Sequence, residues 1–318
     1  MSDPIYLNND RITTLLSMQD CIEVMEQMFR ALAEGQVLQP LRNLMWLPDR
    51  SGLLGMMPAY AGDPQILGIK IITIFHANRE AHLNSHQGLV TLFDAHSGTP
   101  LLILDAAAIT AIRTAAASAL ATRLLSRSDA STLAILGTGE QAERHAEAIP
   151  LVRPIHHINL WGRNKNHAST LAKKLETLHR IPVYVSPDTA AAVKDADIIC
   201  TVTSAREPIV TGDALRPGAH INAVGSCTPT ARELDTAAIL RSSLFTDRYE
   251  SLFNEAGDYL IPKKEGRITD NDVKGELGEV LTGRKPGRVN DHEITVFKSL
   301  GIAAEDLYAA WHVYTRLH

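Results

Sequence analysis

The segment Leu133-Ala-Ile-Leu-Gly-Thr-Gly-Glu-Gln-Ala142 constrains the fold of this chain more than any other. A β-branched apolar run leads straight into a glycine turn, and helix-forming residues follow. Gly137 permits the tight turn, Gly139 lets backbone amides approach a phosphate, and Ala142 is small enough for the helix to pack on its own strand. The segment predicts a dinucleotide-binding unit built after another structural unit. The alternative is a plain strand–turn–helix that uses glycine only for its backbone freedom.

The amino-acid composition excludes several kinds of protein. The chain has 318 residues, 45% of them hydrophobic and 21% charged, which is typical of a globular protein of about two domains. A net charge of −5 without a basic run argues against a nucleic-acid or membrane partner. Cys21, Cys200 and Cys227 form no CxxC pair, and the N-terminus has no signal-peptide pattern. We therefore expect a cytoplasmic protein.

The first third of the chain predicts an α+β unit. Apolar spacing indicates an amphipathic helix over residues 11–35, with Asp20 as a possible cap, and an alanine-rich helix is expected over Ala106–Leu125. Between them, short β-like runs divided by turn residues predict a mostly antiparallel sheet. These runs are Arg42–Leu47, Leu53–Pro58, Ile66–Ile74 and Gly88–Asp94.

The remainder alternates strand and helix, and this rhythm predicts a doubly wound parallel sheet. The fold class is thus α/β, with a Rossmann sheet inserted after an α+β domain. We expect the first domain over residues 1–118, completed by a C-terminal helix at 302–318, and the Rossmann domain over 119–301. The whole segment Ile294–Leu317 looks helical. Strands are expected at Thr132–Leu136, His157–Trp161, Pro182–Val185, Ile198–Val202, Ala219–Val224 and Ser243–Thr246.

The end of the second Rossmann strand bears on the coenzyme. An NAD-selective site usually has an acid there to hold the ribose 2′-hydroxyl, but this chain reads Leu160-Trp-Gly-Arg-Asn-Lys165. Arg163 and Lys165 offer positive charge to a 2′-phosphate, and Asn164 can add a neutral hydrogen bond. NADP(H) is favoured, with NAD(H) possible. The alternative is that Arg163 stacks on adenine and Lys165 is a solvated charge.

Three basic residues of the first domain stand in apolar or β-like surroundings: Arg42, Lys70 and Arg113. Strand alternation alone places Lys70 on a solvated face. Arg113 is isolated on an alanine-rich helix, where an arginine usually has a buried anion as partner. That partner is either a substrate carboxylate or a carboxylate of the protein, and spacing does not separate the two.

Six motifs in order make nearly the whole chain resemble the ornithine cyclodeaminase/mu-crystallin family. They are Ser85-His-Gln-Gly88, Ile112-Arg-Thr-Ala-Ala-Ala-Ser118, Gly137-Thr-Gly-Glu-Gln141, His220-Ile-Asn-Ala-Val-Gly225, Glu276-Leu-Gly-Glu279 and Thr295-Val-Phe-Lys-Ser-Leu-Gly301. The resemblance implies a homodimer whose first domains pair through their sheets. It also implies that this domain binds a small amino or cyclic imino acid through its α-carboxylate.

The resemblance also implies roles for individual residues. Arg42, Lys70 and Arg113 match the carboxylate-binding set, which makes Lys70 a pocket lysine, and we expect Lys70 and Arg113 to be catalytic. Glu255 matches a position on the substrate side. The expected coenzyme-binding residues are Ser85, His86, Thr114, Gly137, Gly139, Glu140, Gln141, Arg163, Asn164, Thr203, Val224 and Ser299. The histidines lack helical metal-ligand spacing, so no metal site is expected.

Two departures from the family pattern bear on the reaction. Cys227 and Gly55 stand where cyclodeaminases carry acids, and neither can supply the fixed negative charge that a diamine substrate requires. Cys227 is more simply a small buried filler.

These features favour NAD(P)H-dependent reduction of Δ1-pyrroline-2-carboxylate or Δ1-piperideine-2-carboxylate to L-proline or L-pipecolate. The three cations would hold the carboxylate so that C2 lies over the nicotinamide C4, and Lys70, His86 or solvent would supply the proton. The alternatives are ornithine cyclodeamination, an alanine-dehydrogenase-like reaction, and a mu-crystallin-like protein that only binds NADP(H) and a small ligand.

Overall fold

The structure is a computed structural model that describes residues 4–79 and 85–317. Its contacts divide the chain into two compact units. The first unit consists of Met1–Arg113 and Gly301–His318, and the second unit consists of Thr114–Leu300.

The elements are numbered in chain order over the described residues. The strands are β1 Ile5–Leu7, β2 Val37–Leu38, β3 Asn43–Trp46, β4 Leu53–Gly62, β5 Gln65–Ile74, β6 His86–Asp94, β7 Pro100–Asp105, β8 Thr132–Leu136, β9 His157–Trp161, β10 Val183–Val185, β11 Ile198–Thr201, β12 His220–Ala223, β13 Ser242–Thr246, β14 Val273–Glu276 and β15 Ile294–Lys298. The helices are α1 Asn9–Leu15, α2 Met18–Ala33, α3 Ala106–Leu125, α4 Glu140–Ala148, α5 Lys165–His179, α6 Thr189–Val193, α7 Thr236–Leu240, α8 Tyr249–Glu255, α9 Gly257–Lys264, α10 Leu277–Leu281 and α11 Ala303–Thr315.

The first unit is built on a sheet of order β1-β7-β6-β5-β4-β2, with β3 paired to β4. All of its pairs are antiparallel except β1 with β7, as the turn-divided runs predict. Burial alternates along β4, because one face of the sheet is covered, and α11 packs against β4 to β7. Met57 pairs with Lys70 and Gly55 with Ile72, so these four residues point to the same face.

Two predictions for the helices are wrong. The helix expected over 11–35 is two helices, and α2 is capped by Ser17, whose Oγ accepts a hydrogen bond from the Asp20 amide at 3.0 Å. Asp20 therefore lies inside the first turn of α2 rather than at its cap. The segment Ile294–Leu317 is a buried strand followed by a helix, β15 and α11, divided where Gly301 adopts a left-handed φ of 71°.

The second unit is a parallel sheet of order β10-β9-β8-β11-β12-β15-β13-β14, which confirms the predicted α/β class with a Rossmann sheet. Strands β8, β11, β12 and β15 are almost wholly buried, as strands covered on both faces should be. The chain leaves β8 toward β9 and later returns to pair β11 on its other side. The direction of winding therefore reverses between β8 and β11, and ligands of such sheets bind outside the carboxyl ends of the strands at this point.

Two half-buried arginines, Arg153 and Arg288, hold the end of α3 within the second unit. Arg153 donates to the carbonyls of Thr122, Arg123 and Ser126, which end the helix, at 2.8 to 3.2 Å. At the same helix end, the Arg288 Nε donates to the Leu125 carbonyl at 2.7 Å. These guanidinium groups give hydrogen-bond partners to carbonyls at the end of the helix, where intrahelical partners run out; the Thr122 carbonyl also accepts the Ser126 amide.

Candidate active site

In the second unit, most of the predicted coenzyme residues gather at one edge of the parallel sheet. Strands β9, β8, β11, β12 and β15 are neighbours in that order, and predicted residues follow the carboxyl end of each. We call this edge the carboxyl rim; it carries Arg163 and Asn164 after β9, Gly137 and Gly139 after β8, Thr203 after β11, Val224 after β12 and Ser299 after β15. Residues from distant parts of the sequence thus meet where a Rossmann sheet binds its ligand.

The glycine loop between β8 and α4 has the geometry of an anion cradle. Gly137 has φ of 137°, and a Cβ there would lie 2.7 Å from the Val202 carbonyl oxygen, so only glycine fits. Gly139 precedes α4 without a side-chain cap, and a Cβ there would meet no atom within 4 Å. The start of α4 therefore faces open space, where the helix dipole favours a phosphate. Glu140 and Gln141 are the first residues of this helix, one exposed and one half-buried.

The end of β9 lies against this loop. A Cβ on Gly162 would be 2.3 Å from the Thr138 Cγ2, so the two turns touch. Arg163 is exposed. Asn164 caps α5, its Oδ1 accepting from the amides of Asn166 and His167 at 3.0 and 3.2 Å. This cap uses the side-chain oxygen of Asn164. The neutral hydrogen bond that the sequence suggests would therefore come from its side-chain nitrogen.

Glu233, which sequence reasoning missed, ties two loops of the carboxyl rim together. It is fully buried and accepts hydrogen bonds from the Thr201 and Thr203 hydroxyls at 2.7 Å. It also accepts from the amides of Thr203 and Gly225 at 2.8 and 2.7 Å. Burial raises the pKa of Glu233, while Lys298 and the two hydroxyls favour its ionised form. This carboxylate thereby fixes the ends of β11 and β12.

A buried ion pair extends the connection to β15. Asp258 accepts the amides of Glu233 and Leu234 at 2.8 and 2.9 Å, and its other oxygen lies 3.3 Å from the Lys298 Nζ. Burial opposes the charge of Lys298, but Asp258 and other acidic neighbours raise its pKa overall. Among the described residues, the buried Ser299 Oγ has no hydrogen-bond partner. A polar atom buried in this way at the carboxyl rim fits a bound coenzyme.

In the first unit, Lys70 is buried and paired. Only 3% of its side chain is exposed, and its Nζ lies 2.7 Å from the Asp306 Oδ2 and 3.4 Å from the Thr110 Oγ1. The prediction of a solvated face, made from alternation alone, is wrong. The isoleucines on either side are the more exposed residues, because the covered face of β5 is the one that carries Lys70.

Arg113 has protein carboxylates as partners. Its Nε lies 3.0 Å from the Asp306 Oδ1, and its Nη1 lies 2.5 Å from the Glu305 Oε2. The sequence leaves open whether the partner of Arg113 is a substrate carboxylate or a carboxylate of the protein. The structure shows protein carboxylates, and these two contacts use Nη1 and Nε but not Nη2. A Cβ on Gly301 would be 2.4 Å from the Arg113 Nη1, and the Gly301 carbonyl accepts the Arg42 Nη2 at 2.8 Å. The three predicted cations are thus brought together.

We call Arg42, Lys70, Arg113, Glu305 and Asp306 the cation–acid cluster. Burial, together with Arg113, lowers the pKa of Lys70 to about 8, although Asp306 opposes the shift. The pKa of Arg113 is raised, because Asp306 and Glu305 outweigh the opposing effect of burial. Three cations against two carboxylates leave one net positive charge when Lys70 is protonated. A cluster of this charge suits a ligand with one carboxylate.

The other predicted residues lie on separate elements of the two units. Ser85 and His86 stand at the start of β6 in the first unit, with 3.0 Å between the Ser85 Oγ and the His86 Nδ1. Thr114 is buried on α3. Glu255 ends α8 in the second unit and is half-buried, whereas the three cations belong to the first unit.

The two positions that depart from the family pattern carry no acid. Cys227 is half-buried, with its Sγ 3.7 Å from the Val224 carbonyl oxygen and 3.6 Å from that of Leu300. Gly55 lies on the same face of the sheet as Lys70, and a Cβ there would be only 3.2 Å from the Ile72 Cγ2.

Residues 4–79 and 85–317 contain no group of three or more His, Cys, Asp or Glu side chains placed to hold a metal ion. They also contain no helix of the length and apolar character needed to cross a membrane.

Comparison with known proteins agrees with this geometry. A family model described as "Ornithine cyclodeaminase/mu-crystallin family" matches residues 3–318. The chain is 37% identical over 303 residues to Delta(1)-pyrroline-2-carboxylate reductase of Bacillus cereus, covering 95% of this chain and 93% of that protein. The Thermococcus litoralis Delta(1)-pyrroline-2-carboxylate reductase, solved with NADH and L-proline, has a TM-score of 0.96 at 35% identity, covering 98% and 97% of the two chains. An archaeal alanine dehydrogenase dimer with bound NAD has a TM-score of 0.93 at 29% identity, covering 98% and 95%.

Proposed function

Because the chain belongs to the ornithine cyclodeaminase/mu-crystallin family, we propose that it is an NAD(P)H-dependent reductase of cyclic imino acids. Its substrates are Δ1-pyrroline-2-carboxylate and Δ1-piperideine-2-carboxylate, and its products are L-proline and L-pipecolate. The observation that carries the proposal is the cation–acid cluster, which brings Arg42, Lys70 and Arg113 together as a carboxylate site requires. Cys227 and Gly55 provide no acid for the second amine of a diamine, which argues against cyclodeamination.

The chemistry requires one hydride and one proton. Reduced nicotinamide, when bound at the carboxyl rim, supplies the hydride to C2 of the imine. Arg42, Lys70 and Arg113 bind the α-carboxylate and so fix the orientation of the C=N bond. Lys70, whose pKa is lowered to about 8, releases a proton to the ring nitrogen more readily than an ordinary lysine, and the amino acid forms.

The acids of the cluster remove an electrostatic conflict. A protonated imine is positively charged, and three uncompensated cations would repel it. Asp306 and Glu305 pair with Lys70 and Arg113 at 3.0 Å or less, so most of that charge is neutralised before the substrate arrives. The carboxylate of the substrate then balances the remaining positive charge.

For the coenzyme, we favour NADPH over NADH. Arg163 is exposed at the end of β9, where the ribose of the adenosine half lies in Rossmann sites, and no acid occurs between Leu160 and Lys165. The T. litoralis relative was solved with NADH, so we expect both coenzymes to be used.

We also propose a homodimer formed through the first unit. The sheet face opposite Lys70 exposes apolar side chains. Ile71 and Leu89 are cross-strand partners on this face, and they are 38% and 43% exposed. Leu67 on β5 and Met45 on β3 are exposed as well. A solvent-facing sheet this apolar is typical of a protein–protein interface.

A substrate panel tests the proposed reaction. Purified protein with NADPH or NADH should consume coenzyme when given pyrroline-2-carboxylate or piperideine-2-carboxylate. It should do so much more slowly with pyruvate plus ammonia, the alanine-dehydrogenase pair. Proline formed from ornithine with catalytic NAD⁺ would instead identify a cyclodeaminase. Coenzyme binding without turnover of any substrate would identify a binding protein.

A further inference from the structure

We propose that Asp306 is a positioning residue of this site: it holds Lys70 and Arg113 in register and keeps Lys70 charged, and so sets the upper pH limit of imine reduction. The inference deepens the proposed function and rests on it. Asp306 is not among the residues that the sequence or the family resemblance marks out.

The carboxylate of Asp306 is a bridge between two cations. Its Oδ2 lies 2.7 Å from the Lys70 Nζ and its Oδ1 lies 3.0 Å from the Arg113 Nε, so each oxygen serves one cation. Only 2% of the Asp306 side chain is exposed. Lys70 comes from β5 and Arg113 from α3, and Asp306 therefore fixes the distance between groups on two separate elements.

The backbone holds Asp306 in place. It lies in the first turn of α11, where the positive end of the helix dipole stabilises a carboxylate. The start of that helix is fixed by Gln39, whose Oε1 accepts the Ala304 amide at 2.9 Å. The acid is thus rigidly placed before any substrate binds, as a preorganised electrostatic site requires.

The surroundings of Lys70 make Asp306 its direct source of negative charge. The charged groups that act on Lys70 are Asp306 from α11, Arg113 from α3 and Arg42 from the segment before β3. Glu305 from α11 and Cys21 from α2 lie near Arg113 instead. Glu305 forms an ion pair with Arg113. Burial raises the pKa of the Cys21 thiol, so the thiol stays neutral. Without Asp306, Lys70 would face two arginines in a buried position and would lose its proton at a lower pH.

The test is the pH dependence of kcat/KM for pyrroline-2-carboxylate at saturating coenzyme, from about pH 6 to about pH 10. In Asp306→Asn, we expect the alkaline limb to move down by at least one pH unit and the imine KM to rise, with the coenzyme KM unchanged. The matched control is Glu305→Gln, which removes an acid that pairs with Arg113 and leaves the Asp306 partner of Lys70 in place. It should raise the imine KM but leave the limb within about 0.3 units of wild type, since Lys70 keeps its partner.

Lys70→Arg tests whether the alkaline limb of the pH profile is due to Lys70. Arginine does not titrate in this range, so the limb should disappear or reflect only the titration of the imine. The intrinsic titration of the imine is the same for every variant and cannot produce a difference between them. If the wild-type protein is active and the alkaline limb lies at the same pH in Asp306→Asn, the inference is overturned and the reductase proposal stays intact. Wild type without reductase activity overturns the reductase proposal itself.

If Asp306→Asn is not recovered folded, Asp306→Glu carries the test. The added methylene keeps the charge but displaces the carboxylate, so it no longer reaches both cations as the shorter side chain does. We expect the imine KM to rise at least about tenfold, roughly the loss of one charge-assisted hydrogen bond, with the coenzyme KM unchanged. An imine KM within about twofold of wild type would show that Asp306 only balances charge and would overturn the positioning role.

Discussion

Arg113 combines observed structural contacts with the substrate-binding role that we propose for it. Two of its donors are used by Glu305 and Asp306, which orient the guanidinium, and its Nη2 takes no part in those bonds. A close approach to Gly301 completes the orientation. In the proposed function, the pairing acids orient the arginine for a substrate carboxylate rather than compete with it.

Arg113→Lys should separate these roles. Lysine retains the positive charge but cannot bind two acids and a ligand in one plane. We expect the imine KM to rise at least about tenfold, equivalent to about 1.4 kcal/mol, while the KM for the coenzyme stays unchanged. Steady-state kinetics with each substrate varied in turn would check this, and a raised coenzyme KM instead would contradict the assigned role.

Arg163 tests the coenzyme preference. Because the Arg163 side chain is exposed, the Arg163→Ala variant should fold normally. It should bind NADPH about tenfold more weakly, as expected for the loss of one charge-assisted contact to a phosphate, and its binding of NADH should be unchanged. The measurement is the ratio of kcat/KM for the two coenzymes. The control Lys173→Ala removes an exposed cation from α5 and should not change that ratio. Equal weakening of both coenzymes would place Arg163 elsewhere than at the 2′-phosphate.

At the residue scale, the cations could be predicted from sequence but their partners could not. Arg113 stands out as an isolated charge on an alanine-rich helix. Asp306 lies 193 positions later, in the first turn of a helix, where acids are common for local reasons. Glu233 likewise gives no local signal, because its four donors come from loops that only the folded sheet brings together.

At the scale of elements, α3 shows how a strongly helical segment is placed by polar contacts. His145 on α4 lies 2.9 Å from the Ser118 Oγ, and Asn222 on β12 donates to the Thr122 Oγ1 at 2.9 Å. His220 lies 3.2 Å from the Asn222 Oδ1. Because α3 is buried on all sides, these hydrogen bonds rather than an apolar stripe select its orientation within the second unit.

The two buried histidines predict acid instability. Burial lowers the pKa of His145 to about 4 and that of His220 to about 3, whereas the unfolded chain titrates near the ordinary value of 6.5. Below that value the unfolded state binds protons that the folded state does not. Stability should therefore fall as the pH drops from about 6.5 toward 4, by up to about 1.4 kcal/mol per pH unit for each histidine.

Urea unfolding at several pH values would measure this slope. His220→Gln should unfold at lower urea concentration at neutral pH, yet lose less stability than wild type on acidification. The matched control His156→Gln changes an exposed histidine and should keep the wild-type slope. A slope that does not change in His220→Gln would mean that this histidine is protonated in the folded state.

Most elements could be predicted from periodicity, and the failures have physical causes. The runs Thr132–Leu136, His157–Trp161 and Ala106–Leu125 are long or strongly patterned, and the structure has them with the predicted bounds. The sequence predicts helix where the structure has strand β15, because a strand buried on both faces has no alternation to distinguish it.

At the scale of the whole molecule, the exposed apolar sheet of the first unit predicts the assembly. Ile71→Glu places a charge between Met56 and Leu89, its neighbours across the sheet, and should convert a dimer to a monomer. Light scattering coupled to size-exclusion chromatography gives the mass directly. The control Leu178→Glu changes a side chain that is 62% exposed in the second unit and should leave the mass unchanged. A dimer that survives Ile71→Glu would locate the interface elsewhere.

The alternation of strand and helix was enough to predict a parallel sheet, since such connections leave few topologies. It could not give the place of β14 and β15, because β15 enters the sheet between strands that precede it in the chain. The carboxyl rim follows from the parallel topology. The cation–acid cluster does not, because it depends on the chain returning at Gly301 to complete the first unit.

The most direct test of the central claim is the fate of the hydride. The protein should be given pyrroline-2-carboxylate and NADPH or NADH deuterated at the transferable C4 position, and the product examined by mass spectrometry and NMR. Proline carrying one deuterium, located at C2, is the predicted result. Proline without deuterium at C2, or oxidation of the coenzyme without proline, would contradict reduction of a carboxylate-bound imine.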